Sequence, residues 1–286
     1  MPLLSFYSRT DMLVRRRSPD EQPRRSSLLA GLKASRNTRS GAVVFDPMYF
    51  LFAVPGLLLT IWAQSKVQGN YRKFSKVPNS SGLTGADVAR RILDANGLTN
   101  VRIELSKGEL SDHYDPRDRT LRLSPGVAQQ ASVASEGIAA HEVGHAIQHA
   151  TAYGPLKLRT GIVPIVSFAS GIAPMVFIFG LITASTQAMW FGIILFAAAT
   201  LFALITLPVE FDASKRAKQQ IRDLGIARGE YSDGIAVRGV GTDARSELSM
   251  VDTVLDAAAW TYIAAFASSL LQLLYFINLA NNSDNR

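Results

Sequence analysis

Charged residues are absent from three long stretches of the chain, and these stretches determine the predicted architecture. They cover residues 47–65, 160–209 and 257–283, with lengths of 19, 50 and 27 residues. A helix needs roughly 20 apolar residues to cross a hydrocarbon core about 30 Å thick. The first and third stretches therefore predict one membrane-spanning helix each. The second predicts two, separated by the polar residues 183–187. We expect a mainly α-helical membrane protein with about four transmembrane helices.

The polar segment before the second stretch has the pattern of a small folded domain. "TGADVARRILDANGL" has the spacing of an amphipathic helix that begins near Thr84 and ends at Gly97. "VRIEL" alternates as a half-buried strand does, and "ELSDHYD" and "TLRLS" flank "PRDR" as the arms of a hairpin. "SVASEGIAAHEVGHAIQHA" then reads as a long helix rich in small residues. The order predicts a small α+β domain with a short antiparallel sheet between two helices.

The pattern divides the chain into seven parts. They are a basic, disordered tail (1–46), a first membrane helix (47–65), the α+β segment (66–159), a second and a third membrane helix (160–183 and 187–209), a helical segment (210–256) and a fourth membrane helix (257–280). The tail is rich in Arg, Ser and Pro, as in "RRRSPDEQPRRSS", and has too few apolar residues to fold. The positive charge of the tail favours the lipid bilayer as a partner. No aromatic or fold signal accompanies its arginines, so we expect no specific nucleic acid.

Composition narrows the chemistry that the chain can perform. The chain has a formal net charge of +7. It has no cysteine, and this excludes disulfides, thiolate metal sites and a cysteine nucleophile. It has only four histidines, and three of them lie within the ten residues "HEVGHAIQHA". This cluster is the candidate for a functional site.

The cluster has the spacing of a metal-binding helix. His141 and His145 are four residues apart, so both imidazoles face the same side and can bind one ion. Glu142 lies about 100° further round the helix, where it can accept a proton from water without occupying a coordination position. The pattern H-E-x-x-H is short enough to arise by chance in proteins without a metal, so the rest of the chain has to supply the context.

Two residues compete for the role of third ligand. His149 continues the series, but a straight helix carries it one further turn, about 6 Å, past the ion. We expect it to be a polar neighbour of the ligands. Glu210 opens the second polar segment, and the two spans that precede it return the chain to the face that carries His141. Glu210 is therefore the better candidate, although a solvated carboxylate at a helix start is the alternative.

Other polar residues are candidates for supporting roles. Asp212 can take the helix-start role in place of Glu210, or orient a histidine by accepting its second N–H. His113 and Tyr114 in "SDHYDP", and Arg216, are candidates for contacts to substrate or to the developing oxyanion. For these three the alternatives are a polar hairpin turn and a solvated basic face. Gly144 is expected to permit close packing against a neighbouring helix.

Several motifs in one order resemble a known family, the YugP-like neutral zinc metallopeptidases of bacterial membranes. They are "WAQSKV", "SGLTGADVARRIL", "LSDHYDP", "LRLS", "AAHEVGHAIQ", "LPVEFDAS" and "LDAAAWTYIAA", and the resemblance runs from about residue 46 to residue 278. "EFDAS" is also similar to the E-x-x-A-D segment of HtpX-type and CAAX prenyl proteases, in which the first glutamate is a zinc ligand. That likeness implies Glu210 as the ligand. Ser214 replaces the trailing aspartate, and we expect Asp212 to take over its contact.

The resemblance implies a membrane-embedded, gluzincin-like metallopeptidase with a sheet edge beside the active helix. One zinc ion held by His141, His145 and Glu210 would polarise a peptide carbonyl, and Glu142 would take the proton of the attacking water and pass it to the leaving amine. The expected partners are peptide or protein substrates, including membrane proteins. The alternative is a membrane-bound scaffold or metal sensor that keeps the zinc site without turnover.

The distribution of cations predicts the orientation in the bacterial inner membrane. Ten lysines and arginines lie close to the spans on the catalytic face, whereas the opposite face carries only Arg286. Positive residues favour the cytoplasmic side, so we expect a multi-pass protein with a cytoplasmic catalytic face. The arginine-rich tail before the first span argues the other way.

Overall fold

The computed structural model describes residues 47–227 and 244–284. Its helices and strands are α1 (Pro47–Phe74), α2 (Gly85–Ala95), β1 (Arg102–Leu105), β2 (His113–Asp115), β3 (Thr120–Leu123), α3 (Pro125–Ala128), α4 (Val133–Ala150), α5 (Gly154–Thr183), α6 (Thr186–Asp223) and α7 (Ala244–Asp284). The predicted basic tail and part of the segment 210–256 lie outside the described residues.

Four helices are long and apolar enough to cross a membrane: α1, α5, α6 and the part of α7 from Ser246 to Ser283. Large apolar side chains cover their outer faces, and Phe168 and Ile182 are 70% and 78% exposed. Contiguous exposed apolar surface of this extent is stable in lipid but not in water. The prediction of a mainly α-helical membrane protein with about four spans is confirmed.

The membrane helices continue beyond the stretches that lack charge. α6 runs without interruption past Glu210 to Asp223, and α1 continues to Phe74. Glu210 therefore lies within a helix. The sequence pattern had suggested that it begins a new element, which is wrong. The reason is that a helix satisfies its backbone hydrogen bonds internally, so it can leave the bilayer without ending. Even Pro208, which removes one such bond, does not interrupt α6.

The spans form an antiparallel bundle. α5 and α6 make a hairpin through Ala184 and Ser185, and a Cβ atom added at Gly180 would lie 2.5 Å from the backbone nitrogen of Met189. Small residues at such contacts let helix backbones approach closely in a membrane. α7 packs against α6, where Thr200 Oγ1 reaches the Ser269 carbonyl. These contacts bring the polar ends of α4, α5, α6 and α7 to the same side of the bundle.

α1 packs against α7 along most of its length. The Thr60 and Ser268 hydroxyls lie 3.1 Å apart, and the rings of Trp62 and Trp260 meet edge to face. The ammonium of Lys66 lies 4.9 Å from the centre of the Trp62 ring. An aromatic pair with a lysine beside it is typical of a membrane–water interface. The polar domain begins just beyond this level.

The first helix of the polar domain has the predicted bounds. Thr84 caps α2, and its side chain and that of Asp87 bond to each other's backbone N–H groups. This capping box fixes the start of the helix. Gly97, at φ +71°, follows its end in the left-handed region that favours glycine. The buried side chains of α2 pack against α4: Val88, Ala89, Ile92 and Leu93.

The sheet is mixed, with strand order β1–β3–β2. The predicted hairpin is correct, since β2 and β3 are antiparallel, with Tyr114 opposite Leu121. The expectation of a fully antiparallel sheet is wrong for β1, which is parallel to β3. β3 is the central strand, between β1 and β2. Its Leu121 and Leu123 side chains are fully buried. This order leaves β2 at the edge.

α4 is the helix around which the polar domain is built. Ser132 caps it by accepting a hydrogen bond from the Ser135 N–H. Farther along, α4 approaches α6 so closely that a Cβ added at Gly144 would lie 2.5 Å from the Ala213 carbonyl oxygen. The expected role of Gly144 in close packing is confirmed. Only a residue without a side chain allows this separation.

The first turn of α4 also carries a buried acid. Glu136 is fully buried, and neither of its carboxylate oxygens has a hydrogen-bond partner among the described residues. Burial and the nearby carboxylate of Glu247 raise the pKa of Glu136 to about 8. Glu247 accepts hydrogen bonds from the backbone and side chain of Ser80. Glu136 is therefore a neutral carboxylic acid at neutral pH.

We expect Gly144→Ala to destabilise the protein. Its methyl group would meet a backbone carbonyl that moves only if α4 and α6 separate, and overpacking of this kind costs about 1–3 kcal/mol. The midpoint of thermal unfolding in detergent should fall by about 2 °C or more. Gly171→Ala in α5 is the control, because nothing lies within 4 Å of the added Cβ there. Equal midpoints for the two variants would contradict the packing role.

We expect the stability of the wild type to fall as the pH rises from about 4.5 to about 8. In this window the folded chain keeps the proton on Glu136, whereas the unfolded chain has lost it. Glu136→Gln, which stays neutral, should remove most of this decline in the unfolding midpoint measured between pH 5 and 8.5. Glu109→Gln, at an exposed position, is the control. A decline that is unchanged in Glu136→Gln would show that Glu136 is not its source.

Candidate metal centre

α4 presents two histidines to the same side. His141 and His145 are one turn apart, and their rings meet at 87° with centres 4.8 Å apart. Their side chains are only 12% and 13% exposed. Two imidazoles that are nearly removed from water and nearly perpendicular cannot stack, and both direct an Nε2 atom towards α6.

α6 brings Glu210 to these nitrogens. Its side chain is 2% exposed, and its Oε2 atom lies 3.3 Å from His141 Nε2 and 3.5 Å from His145 Nε2. The candidate ligand atoms of the three residues all lie within 4.8 Å of one another. The hairpin of α5 and α6 returns the chain to this side, so residues 65 or more positions apart form one cluster.

The donor set fits a zinc ion. Glu210 Oε2 is buried and has no hydrogen-bond partner among the described residues. Distances of 3.3 and 3.5 Å are long for hydrogen bonds to the two imidazoles. They match ligands that share an ion, because atoms about 2.0–2.2 Å from a tetrahedral zinc lie roughly 3.4 Å apart. Three such ligands leave a fourth position for water or substrate.

Each imidazole is also held at its second nitrogen. His141 Nδ1 lies 3.1 Å from Ser214 Oγ, and His145 Nδ1 lies 3.0 Å from Gln148 Oε1. An Nδ1–H group that donates to these oxygens leaves Nε2 unprotonated and free to bind a cation. The contact that the sequence analysis transferred to Asp212 belongs to Ser214. A hydroxyl at position 214 reaches the histidine directly, so no substitute is needed.

Asp212 lies one step further from the candidate ligands, because it contacts His145 through Gln148. Gln148 is fully buried, and its amide nitrogen donates to the Val209 carbonyl and to Asp212 Oδ2, both at 2.8 Å. Asp212 Oδ2 also accepts a hydrogen bond from Arg216 Nε at 2.6 Å. Every polar group of the Gln148 amide therefore has a partner, which fixes the orientation of the His145 ring.

Glu142 faces the polar domain beside the two ligands. Its Oε2 atom accepts a hydrogen bond of 3.1 Å from the backbone N–H of Tyr114 in the edge strand β2. The strand therefore holds the carboxylate without neutralising its charge. Glu142 is half-buried, and it keeps one oxygen for which the described residues give no hydrogen bond.

The remaining predicted residues have other contacts. Tyr114 lies with its hydroxyl 2.9 Å from His149 Nδ1, which ties β2 to α4. His113 is exposed, with Nδ1 2.8 Å from the Ser111 carbonyl. Arg216 pairs with Asp212 and lies over the Tyr153 ring. Contacts of these residues to substrate stay predictions.

Sequence reasoning missed three polar residues that the fold brings to the site. Arg159 Nη1 donates to Glu210 Oε1 at 3.0 Å, and the Tyr262 hydroxyl interacts with Glu210 and Glu142. Gln148 is the third. Arg159 is the last charged residue before the 50-residue uncharged run, and this position was the only signal in the sequence.

The carboxylates dominate the electrostatics of the cluster. Burial lowers the pKa of the His145 imidazole, but Glu210 and Glu142 outweigh this effect, so its pKa is raised. The site therefore attracts positive charge, either a proton or a metal ion. A divalent cation competes with protons for such a nitrogen.

Comparison with known proteins agrees with this chemistry. The sequence profile of a family described as "Putative neutral zinc metallopeptidase" matches residues 49–281. The "Putative membrane protease YugP" of Bacillus subtilis (strain 168) is 48% identical over 236 residues, which cover 82% of this chain and 98% of the relative. No solved structure matches the chain. Since the family profile covers far more than half of the chain, including all four spans and the cluster on α4 and α6, the protein belongs to this family of zinc metallopeptidases.

Proposed function

We propose that this protein is a membrane-embedded zinc peptidase in which His141, His145 and Glu210 hold one zinc ion and Glu142 is the general base. The observation that carries the proposal is the buried Glu210 Oε2 atom, which lies between two imidazole nitrogens and has no hydrogen-bond partner among the described residues. A buried carboxylate oxygen without a partner is costly unless a cation compensates it.

A zinc ion at these ligands supplies a Lewis acid that polarises a peptide carbonyl and makes water more acidic. Glu142 accepts the proton of the attacking water. The Tyr114 N–H holds its Oε2 atom, so the carboxylate keeps its position while it gains a proton. Glu142 then returns the proton to the leaving amine, so the same carboxylate acts first as a base and then as an acid.

Tyr262 is the donor that we assign to the carbonyl oxygen as negative charge develops on it. Its hydroxyl interacts with Glu210 and is within electrostatic range of Glu142, so it lies near the proposed third ligand. Of the candidates from the sequence, the Tyr114 hydroxyl is bonded to His149 and Arg216 to Asp212, whereas Tyr262 interacts with Glu210 itself. A preorganised donor of this kind is worth a factor of about 10²–10³ in rate.

The site lies at the level of the membrane surface. Glu210 follows the last uncharged turn of α6, and Trp260, two residues from Tyr262, belongs to the aromatic pair described above. Peptide or protein substrates, including membrane proteins, can reach the site from the polar side. We assign the protein to the bacterial inner membrane with this side in the cytoplasm, because the cations near the spans lie on it.

We expect Glu142→Gln to lose peptidase activity and to keep its zinc. Loss of a general base costs a factor of about 10²–10⁴. The rate is measured with fluorescein-labelled casein on full-length protein in liposomes, and zinc content is measured by elemental analysis. Glu210→Gln should lose the zinc as well, whereas Glu104→Gln, at an exposed position in β1, should behave as the wild type.

The outcomes separate the two candidate functions. Equal cleavage by the wild type and Glu142→Gln would exclude the proposed mechanism. Stoichiometric zinc in a wild type that cleaves nothing would favour the scaffold or metal sensor.

We expect Tyr262→Phe to lower kcat about 100-fold without loss of zinc, because the variant removes the hydroxyl that we assign to the developing negative charge and leaves the three proposed ligands in place. KM should change little. Tyr275→Phe, on the same helix but with its ring against Tyr49, is the control. Activity of Tyr262→Phe within twofold of this control would show that the hydroxyl plays no part in the reaction.

A further inference from the structure

The two oxygens of Glu210 have different environments. Oε1 accepts a hydrogen bond of 3.0 Å from Arg159 Nη1. Oε2 faces His141 and His145 and has no hydrogen-bond partner among the described residues. The carboxylate is 2% exposed, so water does not supply the difference. One oxygen is thus committed to a protein cation, and the other is left for an ion.

This division bears on how Glu210 can bind a metal. A carboxylate can coordinate with one oxygen or with both. Arg159 makes a charge-assisted bond to Oε1, and such bonds are about twice as strong as neutral ones. Chelation by both oxygens would have to weaken this bond in a buried place. With one oxygen from Glu210 and two imidazoles, the ion has three protein ligands and keeps an open position.

The position of Arg159 supports a dedicated role. Arg159 lies on α5, near the start of a span, and its side chain is 29% exposed. Among the described residues, its one ion pair is with Glu210. Lys157, two residues earlier, is exposed and has no ion pair among the described residues. A charge so close to the bilayer is costly unless it is paired, so Arg159 and Glu210 stabilise each other before any ion binds.

We propose that Arg159 is a positioning residue, which restricts Glu210 to one-oxygen binding of the metal and so keeps the fourth position open. The inference rests on the proposed zinc site. The positioning role of Arg159 differs from that of a purely structural ion pair between α5 and α6 in its consequences for metal binding. Loss of a structural pair would loosen the helices and weaken metal binding. Loss of the positioning contact would free Oε1 to join the metal and would leave Glu210 with more negative charge.

The test uses full-length protein in detergent with Co²⁺ in place of zinc, because the intensity of the visible bands of Co²⁺ falls as its coordination number rises from four. We expect Arg159→Met to show bands at least twofold weaker than the wild type. Its zinc affinity, measured by competition with a chelator, should be unchanged or higher. Its kcat should fall about tenfold or more, as is usual for residues that hold metal ligands.

Matched variants make the outcome decisive. Arg159→Gln fills a similar volume without the charge and replaces Arg159→Met if the latter does not fold. Arg159→Lys keeps one donor and should restore part of the band intensity. Lys157→Met removes an exposed cation from the same helix and should match the wild type. Wild-type bands in the folded Met or Gln variant, or weaker zinc binding with a lower unfolding midpoint, would overturn the positioning role.

Failure of this inference is distinguishable from failure of the zinc site itself. If the wild type binds neither Co²⁺ nor zinc, the proposed function fails and the positioning role fails with it. If the wild type binds one ion and Arg159→Met reproduces its spectrum, the site stands and only the role of Arg159 is wrong.

Discussion

The burial of one carboxylate governs the arrangement of this molecule. Glu210 is 2% exposed at the point where α6 leaves the apolar stretch, and an isolated charge there would cost several kcal/mol. Arg159 from α5 compensates one oxygen, and the imidazoles of α4 surround the other. Three helices must therefore meet within hydrogen-bonding distance of a single side chain. Their positions are coupled, because a shift of any one of them leaves a buried charge without its partner.

Close backbone packing makes this meeting possible. α4 and α6 approach at Gly144, where a side chain would strike the Ala213 carbonyl. Residues of the candidate metal centre lie beside this contact: His145 follows Gly144, and Ser214, which follows Ala213, contacts the other histidine. The glycine thus sets the distance between the two helices that carry the candidate ligands. Gln148, one turn further, locks the second histidine to the same stretch of α6.

Much of the fold was predictable because its signals are local. The absence of charge revealed the spans, and helical spacing predicted that α2 begins near Thr84, which is its N-cap in the structure. The candidate ligands on α4 follow from their spacing, and the even number of membrane crossings predicts that Glu210 lies on their side. Contacts between distant segments were not predictable: nothing local shows that β1 is parallel to β3, or that Arg159 and Tyr262 reach Glu210. The contact to a histidine was assigned to Asp212 from the sequence, because the related families carry an aspartate in this segment. In the structure the Ser214 hydroxyl is close enough to make this contact with His141.

Two buried acids in this chain show why burial alone does not identify a metal site. Glu136 is as buried as Glu210, and its carboxylate also lacks hydrogen-bond partners among the described residues. Its charged neighbour is another acid, Glu247, and burial raises the pKa of Glu136 to about 8. A proton on Glu136 removes its charge and the repulsion from Glu247. Around Glu210 the neighbours are an arginine and two imidazoles, each held at its other nitrogen. The difference in neighbours, rather than in depth, favours a proton on Glu136 and, as we propose, a divalent cation at Glu210.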